Sequence, residues 1–278
     1  TDITVNRLAE DRYLVVSSAT THPRDKAWIE KQMTREEHVT LTDITSGYSV
    51  LSVQGPTSRD LLGRITDADL SNEAFPFATS QEIDIGYARA IANRLTYIGE
   101  LGWELHIPSE FTQGVFDALS EVGQAFGLRQ AGYHALEHLR SERAYREYGL
   151  DLTPEDTPYE AGLGFTVKLD KPGGFIGREA IEAQREKPLN KRLVMFKLRD
   201  PEPVLFHDEL IRLDGEIVGY ISSGAYGFTL GHSVGMGYVH HPGGVTKDLV
   251  ENGEFEIEIA CERYPTEAAL RAFYDPKS

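Results

Sequence analysis

The feature that most constrains the fold is a run of strand-like segments after residue 190. Between residues 254 and 261, apolar side chains alternate with three glutamates, and the apolar ones are Phe255, Ile257, Ile259 and Cys261. A period of two is typical of a strand in a sheet with one wet face. The apolar stretches 193–198, 217–222 and 234–239 also predict strands. Residues 188–278 are therefore expected to form a small C-terminal β-barrel or sandwich.

The sequence before this region mixes both element types. Between Ser109 and Phe126, apolar residues recur every three or four positions, which predicts an amphipathic helix capped by Ser109. Further helices are expected at 25–33, 55–62, 133–148 and 178–184, and strands at 12–17, 39–44, 48–53, 83–93, 94–97 and 103–107. The polar segment 185–192 predicts a domain boundary, so residues 1–187 are expected to form an α+β domain.

The net charge limits the classes of partner that we expect, and the cysteine content limits the compartment. The 278 residues carry 28 basic and 44 acidic side chains, a formal net charge of -16, which would repel nucleic acid and anionic lipid. No apolar run is long enough to span a bilayer. We therefore expect neither a nucleic acid nor a membrane as partner. The single cysteine, Cys261, cannot form an internal disulfide, which favours a reducing compartment. We expect the cytoplasm, or the mitochondrial matrix if the protein is eukaryotic.

The beginning of the chain predicts a fragment. It lacks an initiating Met, and residues from Ile3 to Val5 already have a strand-like pattern. We expect the chain to be part of a longer polypeptide.

One short motif points to a metal. His134, Glu137 and His138 have the His-x-x-Glu-His order of inverted zinc metalloproteases, which places both histidines on one helix face. Five-residue matches arise easily by chance, and the charged neighbours Arg140 and Glu142 favour a solvated helix face with ion pairs. We expect no metal here. His240-His241, beside Pro242-Gly-Gly244, is expected in a turn.

A second block, residues 96–108, contains a possible binding carboxylate. In the strand after Gly102, Trp103, Leu105 and Ile107 fall on one face, and Glu104 and His106 on the other. Taken alone, Glu104 would be a surface carboxylate, since charged groups are seldom buried without a partner. The glycines at 99 and 102 favour a tight turn that aims Glu104 inward.

Several ordered motifs resemble one family. The chain is similar to the folate-binding C-terminal half of dimethylglycine and sarcosine dehydrogenases and oxidases, which is related to the aminomethyltransferase (T-protein) of the glycine cleavage system. The resemblance covers nearly the whole chain, and its motifs lie at residues 2–5, 67–76, 97–104, 152–164, 175–179 and 222–231.

The resemblance implies a T-protein-like folate-binding domain followed by a β-barrel domain, with tetrahydrofolate as cofactor. Asp2 corresponds to the catalytic aspartate of the family, Glu104 to the pterin-binding glutamate and Tyr97 to an aromatic residue of the pterin pocket. Ser17 lies at a folate-contacting position where the glycine cleavage proteins have Asn, and Leu136 at a position where they commonly have Arg. The contacts to the folate tail are therefore expected to differ.

The activity that the resemblance implies is transfer of a one-carbon unit to tetrahydrofolate from an iminium derived from an N-methylated glycine. FAD would belong to a flavin-containing domain or subunit outside this chain. Two alternatives stay open: glycine cleavage aminomethyltransferase or another folate-dependent demethylase, and a noncatalytic folate-binding or assembly module.

Overall fold

The computed structural model describes residues 1–275 as two compact units, which divide after Gln130. The last residues of the C-terminal domain predicted for 188–278, residues 276–278, lie outside the described part. Within the described residues, no helix is both long and apolar enough to cross a membrane.

The first unit contains two antiparallel sheets. The elements are β1 (Ile3–Arg7), β2 (Tyr13–Ser17), α1 (His22–Gln32), β3 (Tyr48–Gln54), α2 (Ser58–Leu62), β4 (Ser80–Ile85), β5 (Ala88–Asn93), β6 (Gly102–Pro108) and α3 (Thr112–Gly123). The hairpin of β1 and β2 forms the smaller sheet, and the other four strands form the larger one in the order β3-β6-β5-β4.

The core of this unit lies on one face of the larger sheet. Trp103, Leu105 and Ile107 alternate along β6 and are fully buried there. They pack with Val115 and Leu119 of α3, which confirms both the strand and the amphipathic helix predicted from the sequence. The opposite face of the sheet carries most of its polar side chains, although Val50 and Ile91 lie there too.

The second unit contains a closed six-stranded barrel. The elements of the unit are α4 (Tyr133–Glu142), α5 (Arg178–Arg185), β7 (Lys191–Leu198), β8 (Leu210–Leu213), β9 (Glu216–Gly227), β10 (His232–His240), α6 (Lys247–Asn252), β11 (Phe255–Ile259) and β12 (Glu262–Ala269). The strand order of the barrel is β10-β7-β12-β11-β8-β9, with all neighbours antiparallel. The barrel confirms the β-barrel or sandwich predicted for the C-terminal region, to which α6 is added, and the chain as a whole has the predicted α+β class.

Several local predictions were wrong for identifiable reasons. Residues 39–44 and 94–97 form no strand; in the second segment the Leu95 N–H bonds back to the Asn93 carbonyl and closes a turn. Ser109 does not cap α3, because its hydroxyl donates to the Ser46 carbonyl instead. Cys261 is exposed in the turn after β11, where it has φ of 68°.

The helix predicted for 133–148 ends at Glu142, and its last turn is not a solvated face. Arg140 is 1% exposed and donates to Asp151 at 2.7 Å and to Ser223 of β9 at 2.9 Å. The end of α4 therefore packs against the barrel within the second unit. The domain boundary expected after residue 187 stays a prediction.

Candidate functional site

A row of four side chains crosses the polar face of the larger sheet. Backbone register places Ser52 opposite Glu104, Glu104 opposite Asn93, and Asn93 opposite Ser80. Directly paired residues in antiparallel strands project to the same face. Glu104 therefore lies on the sheet face opposite Trp103, Leu105 and Ile107, as the alternation in β6 predicted, and sits in the middle of a polar row.

The Glu104 carboxylate is partly buried and has no donor. Burial raises the pKa of this carboxyl above its usual value, because the charged form loses hydration. Among residues 1–275, no hydrogen bond or ion pair to the carboxylate offsets this cost. A desolvated carboxylate without a partner is unusual in a structural role and typical of a binding site.

A second acceptor lies on the same face, two residues along the neighbouring strand. The Gln54 amide nitrogen donates to Ser52 and to the Leu95 carbonyl, while its Oε1 is buried and has no partner in the described residues. Gly102 makes room for this side chain, since a Cβ there would lie 2.2 Å from Gln54 Oε1. The sheet face thus offers two acceptor groups close to each other.

Tyr97 belongs to the loop that joins β5 to β6. The Thr96 hydroxyl accepts hydrogen bonds from the backbone N–H groups of Ile98 and Glu100, and Gly99 has φ of 68°. The turn places partly buried Tyr97 at the end of the sheet where Glu104 is found. Tyr97 therefore belongs to the loop at the end of the sheet that holds Glu104.

Asp2 and Ser17 belong to the other sheet. Ile3 pairs with Ser17, so exposed Asp2 lies at the open end of the hairpin beside Ser17. The preceding residue is held in place, since the Thr1 hydroxyl donates to Asp25 at 2.9 Å. Burial alone would raise the pKa of Asp25, but hydrogen bonds from Thr21, Thr1 and Arg24 outweigh it and lower the pKa.

Hydrogen-bonded side chains, which no sequence pattern indicated, join the hairpin to the larger sheet. Ser80 Oγ lies 2.8 Å from Asn6 Oδ1 on β1 and 2.6 Å from Asn93 Oδ1 on β5. Asn93 Nδ2 lies 2.9 Å from Nε2 of His106, whose pKa burial lowers. The pattern in β6 placed His106 beside Glu104, but nothing in the sequence pointed to Asn6 or Ser80.

The His-x-x-Glu-His segment is already engaged in other contacts. His138 Nδ1 lies 2.8 Å from the Tyr226 carbonyl, and Glu137 accepts two hydrogen bonds from Arg140. No group of three or more potential metal ligands occurs in residues 1–275.

We expect no stoichiometric zinc at His134 and His138, because residues 1–275 gather no third ligand there and Glu137 is engaged by Arg140. Metal analysis of protein purified without a histidine tag measures this directly. One equivalent of zinc that disappears in His138→Ala would contradict the expectation.

The acceptors on the sheet match the pterin part of folate. The pterin edge presents two adjacent donors, its N3–H and its 2-amino group. A carboxylate can accept both in a bidentate, charge-assisted pair. Glu104 has the chemistry and the missing donors for this role, and the aromatic ring of Tyr97 suits a flat heterocycle. The residues present therefore fit the group that the sequence resemblance implies.

Comparison with known families matches both parts of the chain. The GCVT N-terminal domain matches residues 1–171, and the glycine cleavage T-protein C-terminal barrel domain matches residues 191–275.

Curated relatives cover nearly the whole chain. It is 40% identical over 276 residues, 99% of its length, to a 4-methylaminobutanoate oxidase (formaldehyde-forming) from Paenarthrobacter nicotinovorans, of which it covers 33%. It is 41% identical over 86% of its length to human mitochondrial sarcosine dehydrogenase, of which it covers 26%. It is 35% identical over 97% of its length to the mitochondrial pyruvate dehydrogenase phosphatase regulatory subunit of Mus musculus, of which it covers 32%. The chain thus spans about a third or less of these relatives.

Among solved structures, the aminomethyltransferase T of the glycine cleavage system from Bartonella henselae has the same fold. The TM-score is 0.80 at 24% sequence identity, over 98% of this chain and 72% of that one. With both domains matched in sequence and the fold matched in structure, the chain belongs to the glycine cleavage T-protein (GCVT) family and carries its N-terminal domain and its C-terminal barrel.

Proposed function

We propose that the chain is the tetrahydrofolate-dependent one-carbon transfer module of a flavin-dependent enzyme that oxidises an N-methylated glycine. The single observation that carries this proposal is the partly buried Glu104 carboxylate, which has a raised pKa and no donor within residues 1–275. Similarity to sarcosine dehydrogenase over 86% of the chain supports the class of amine.

Each candidate residue has a distinct task in this proposal. Glu104 accepts the two pterin donors and fixes the orientation of the ring, while Tyr97 covers its face. Asp2 orients the reacting part of the ligand, accepts a proton and stabilises positive charge as the one-carbon unit arrives. Ser17, the cross-strand partner of Ile3, contacts the ligand. When bound, tetrahydrofolate supplies the nitrogen pair that captures the one-carbon unit.

The partner in this proposal is a flavin-containing half outside the chain. That half oxidises the amine to an iminium. The chain's own residues would hold the tetrahydrofolate whose nitrogen pair receives the one-carbon unit before water does, and the demethylated amine would leave. The other folate-dependent activities of the family, glycine cleavage aminomethyl transfer and demethylation of another amine, would use the same site with a different donor.

The fate of an isotopic label tests the proposal. The complete protein, with its flavin-containing part, is given N-[¹³C]methylglycine or N,N-di[¹³C]methylglycine with and without tetrahydrofolate. We expect the label to appear as formaldehyde without folate and as a folate-bound one-carbon unit with it. Label found only as formaldehyde at saturating folate would contradict transfer.

A noncatalytic role is the second candidate, and one observation favours it. A relative 35% identical over 97% of the chain is named as a regulatory subunit rather than as a transferase. In that role the site would bind folate, or the chain would support assembly, without moving a one-carbon unit. Tight folate binding combined with an unchanged label distribution would identify this case.

A further inference from the structure

We propose that Asn6, Ser80, Asn93 and His106 form a positioning network that fixes the hairpin carrying Asp2 against the sheet carrying Glu104. Asn6 is 8% exposed, Asn93 is fully buried and His106 is 5% exposed, so water does not compete freely for their hydrogen bonds. The inference deepens the proposed function and rests on it for the roles of Asp2 and Glu104.

The network is built around one hydroxyl group. Ser80 has a single proton to donate, yet its oxygen lies within hydrogen-bonding distance of an amide group on either side, Asn6 at 2.8 Å and Asn93 at 2.6 Å. Both partner atoms are amide oxygens, so Ser80 donates to Asn93 Oδ1, and Asn6 takes part as a donor when its amide is turned by 180°, which brings its Nδ2, without a partner in residues 1–275, to the Ser80 oxygen. In either arrangement Ser80 is the shared partner, so its loss leaves two buried amides short of a hydrogen bond.

The far end of the network reaches the strand of Glu104. The Asn93 amide is held from its other side by His106, at 2.9 Å, and His106 is two residues from Glu104 on the same face of β6. Asn93 is itself the cross-strand neighbour of Glu104. The network thus fixes the side chain beside the candidate pterin-binding carboxylate.

The near end of the network reaches the hairpin of Asp2. Along β1, Asn6 is buried while its neighbours Val5 and Arg7 are exposed, so Asn6 marks the side of the hairpin that faces the sheet. A two-stranded hairpin is marginally stable by itself and takes its position from what it packs against. Within residues 1–275, the other hydrogen bond or ion pair from a hairpin side chain to this sheet joins Arg12 to Glu82; the arginine is 61% exposed and the contribution of the pair is small.

Loss of the Ser80 hydroxyl should affect tetrahydrofolate affinity and the rate of one-carbon transfer to different extents. Glu104 is part of the larger sheet and keeps its position when Ser80 is changed, so the pterin should still bind. Asp2 acts on the reacting atoms, where a displacement of about 1 Å can cost up to about 10²-fold in rate. Loosening the hairpin should therefore slow transfer more than it weakens binding.

The test uses Ser80→Ala in the complete protein, with Ser80→Thr, which retains the hydroxyl, as the conservative variant. Ser120→Ala is the matched control, because Ser120 loses one hydrogen bond within α3, away from the network. We expect Ser80→Ala to slow single-turnover transfer about tenfold and to change tetrahydrofolate affinity less than about threefold. Ser80→Thr should largely keep the transfer rate of the parent. We also expect Ser80→Ala to have little further effect in an Asp2→Asn background, since a positioning residue acts through the group it positions.

Three results would overturn the network. They are an unchanged transfer rate in Ser80→Ala, a loss that is fully additive with Asp2→Asn, or a loss of affinity and rate in the same proportion. The last two would mean that Ser80 contributes only to general stability.

Hydrogen exchange of the ligand-free protein tests the geometry without folate. Backbone amides of β1 and β2 should exchange at least about tenfold faster in Ser80→Ala than in the parent or Ser120→Ala, while β5 and β6 keep their protection. Unchanged exchange in the hairpin would contradict the network. If exchange changes as expected but the parent neither binds nor uses folate, the proposed function is wrong and the structural link stands.

Discussion

Replacing Asp2 by Asn in the complete protein is expected to slow one-carbon transfer by about 10²- to 10⁴-fold while leaving tetrahydrofolate affinity nearly unchanged. The carboxylate matters most when positive charge develops and a proton must leave, and an amide can do neither task. Single-turnover formation of the one-carbon folate product measures the effect. Amine-dependent reduction of the flavin should remain normal, and formaldehyde should replace the folate product.

Asp11→Asn is the matched control for this experiment, because Asp11 is exposed at the opposite end of the same hairpin. It should behave like the parent. The competing explanation is that Asp2 is only a surface residue without a role in transfer. Equal transfer rates in Asp2→Asn and the parent would establish that explanation, although the bond from Thr1 to Asp25 speaks for an ordered position.

Replacing Glu104 by Gln is expected to have two opposite effects. It should weaken tetrahydrofolate binding by about 1.5 to 3 kcal/mol, roughly 10- to 150-fold, because one acceptor oxygen becomes a donor and a charge-assisted bond is lost. The same change should stabilise the ligand-free protein by about 0.5 to 2 kcal/mol, because a partly buried charge without a partner is removed.

The stabilisation has a defined pH dependence. Burial raises the pKa of Glu104, so the folded protein binds this proton more tightly than the unfolded chain does. The free energy of unfolding of the parent therefore falls as pH rises through the raised pKa, and Glu104→Gln lacks this loss. Urea unfolding should show the larger difference at pH 8 and little difference below about pH 4. Glu121→Gln, an exposed glutamate on α3, should show neither effect.

Local sequence patterns were informative where one physical requirement dominates. The alternation in residues 254–261 is what a half-buried strand needs, and it correctly indicated a β-rich C-terminal part that the structure closes into a barrel. The alternation after Gly102 likewise placed Glu104 and His106 on the face away from the core. Both conclusions needed only the two-residue period of a strand and the polarity of its side chains.

Features that depend on distant partners could not be read from the sequence. Asn6 and Ser80 are 74 residues apart, and neither differs from an ordinary polar residue until the hairpin lies on the sheet. Arg140 resembled a solvated residue of a charged helix because its neighbours are charged, whereas Asp151 and Ser223 bury it against the barrel. The assignments of Asp2, Glu104, Tyr97 and Ser17 came from family resemblance, and the roles of these four residues stay predictions.

The central claim is that the Glu104 carboxylate, which has no partner within residues 1–275, recognises the donor edge of a pterin. Titration calorimetry of the complete protein and its Glu104→Gln variant tests it most directly, with tetrahydrofolate and with an analogue whose 2-amino group is replaced by methyl. The account predicts that the parent prefers tetrahydrofolate over the analogue by at least about tenfold and that the variant loses most of this preference. Equal preference in both proteins, or no folate binding by the parent, would contradict the account.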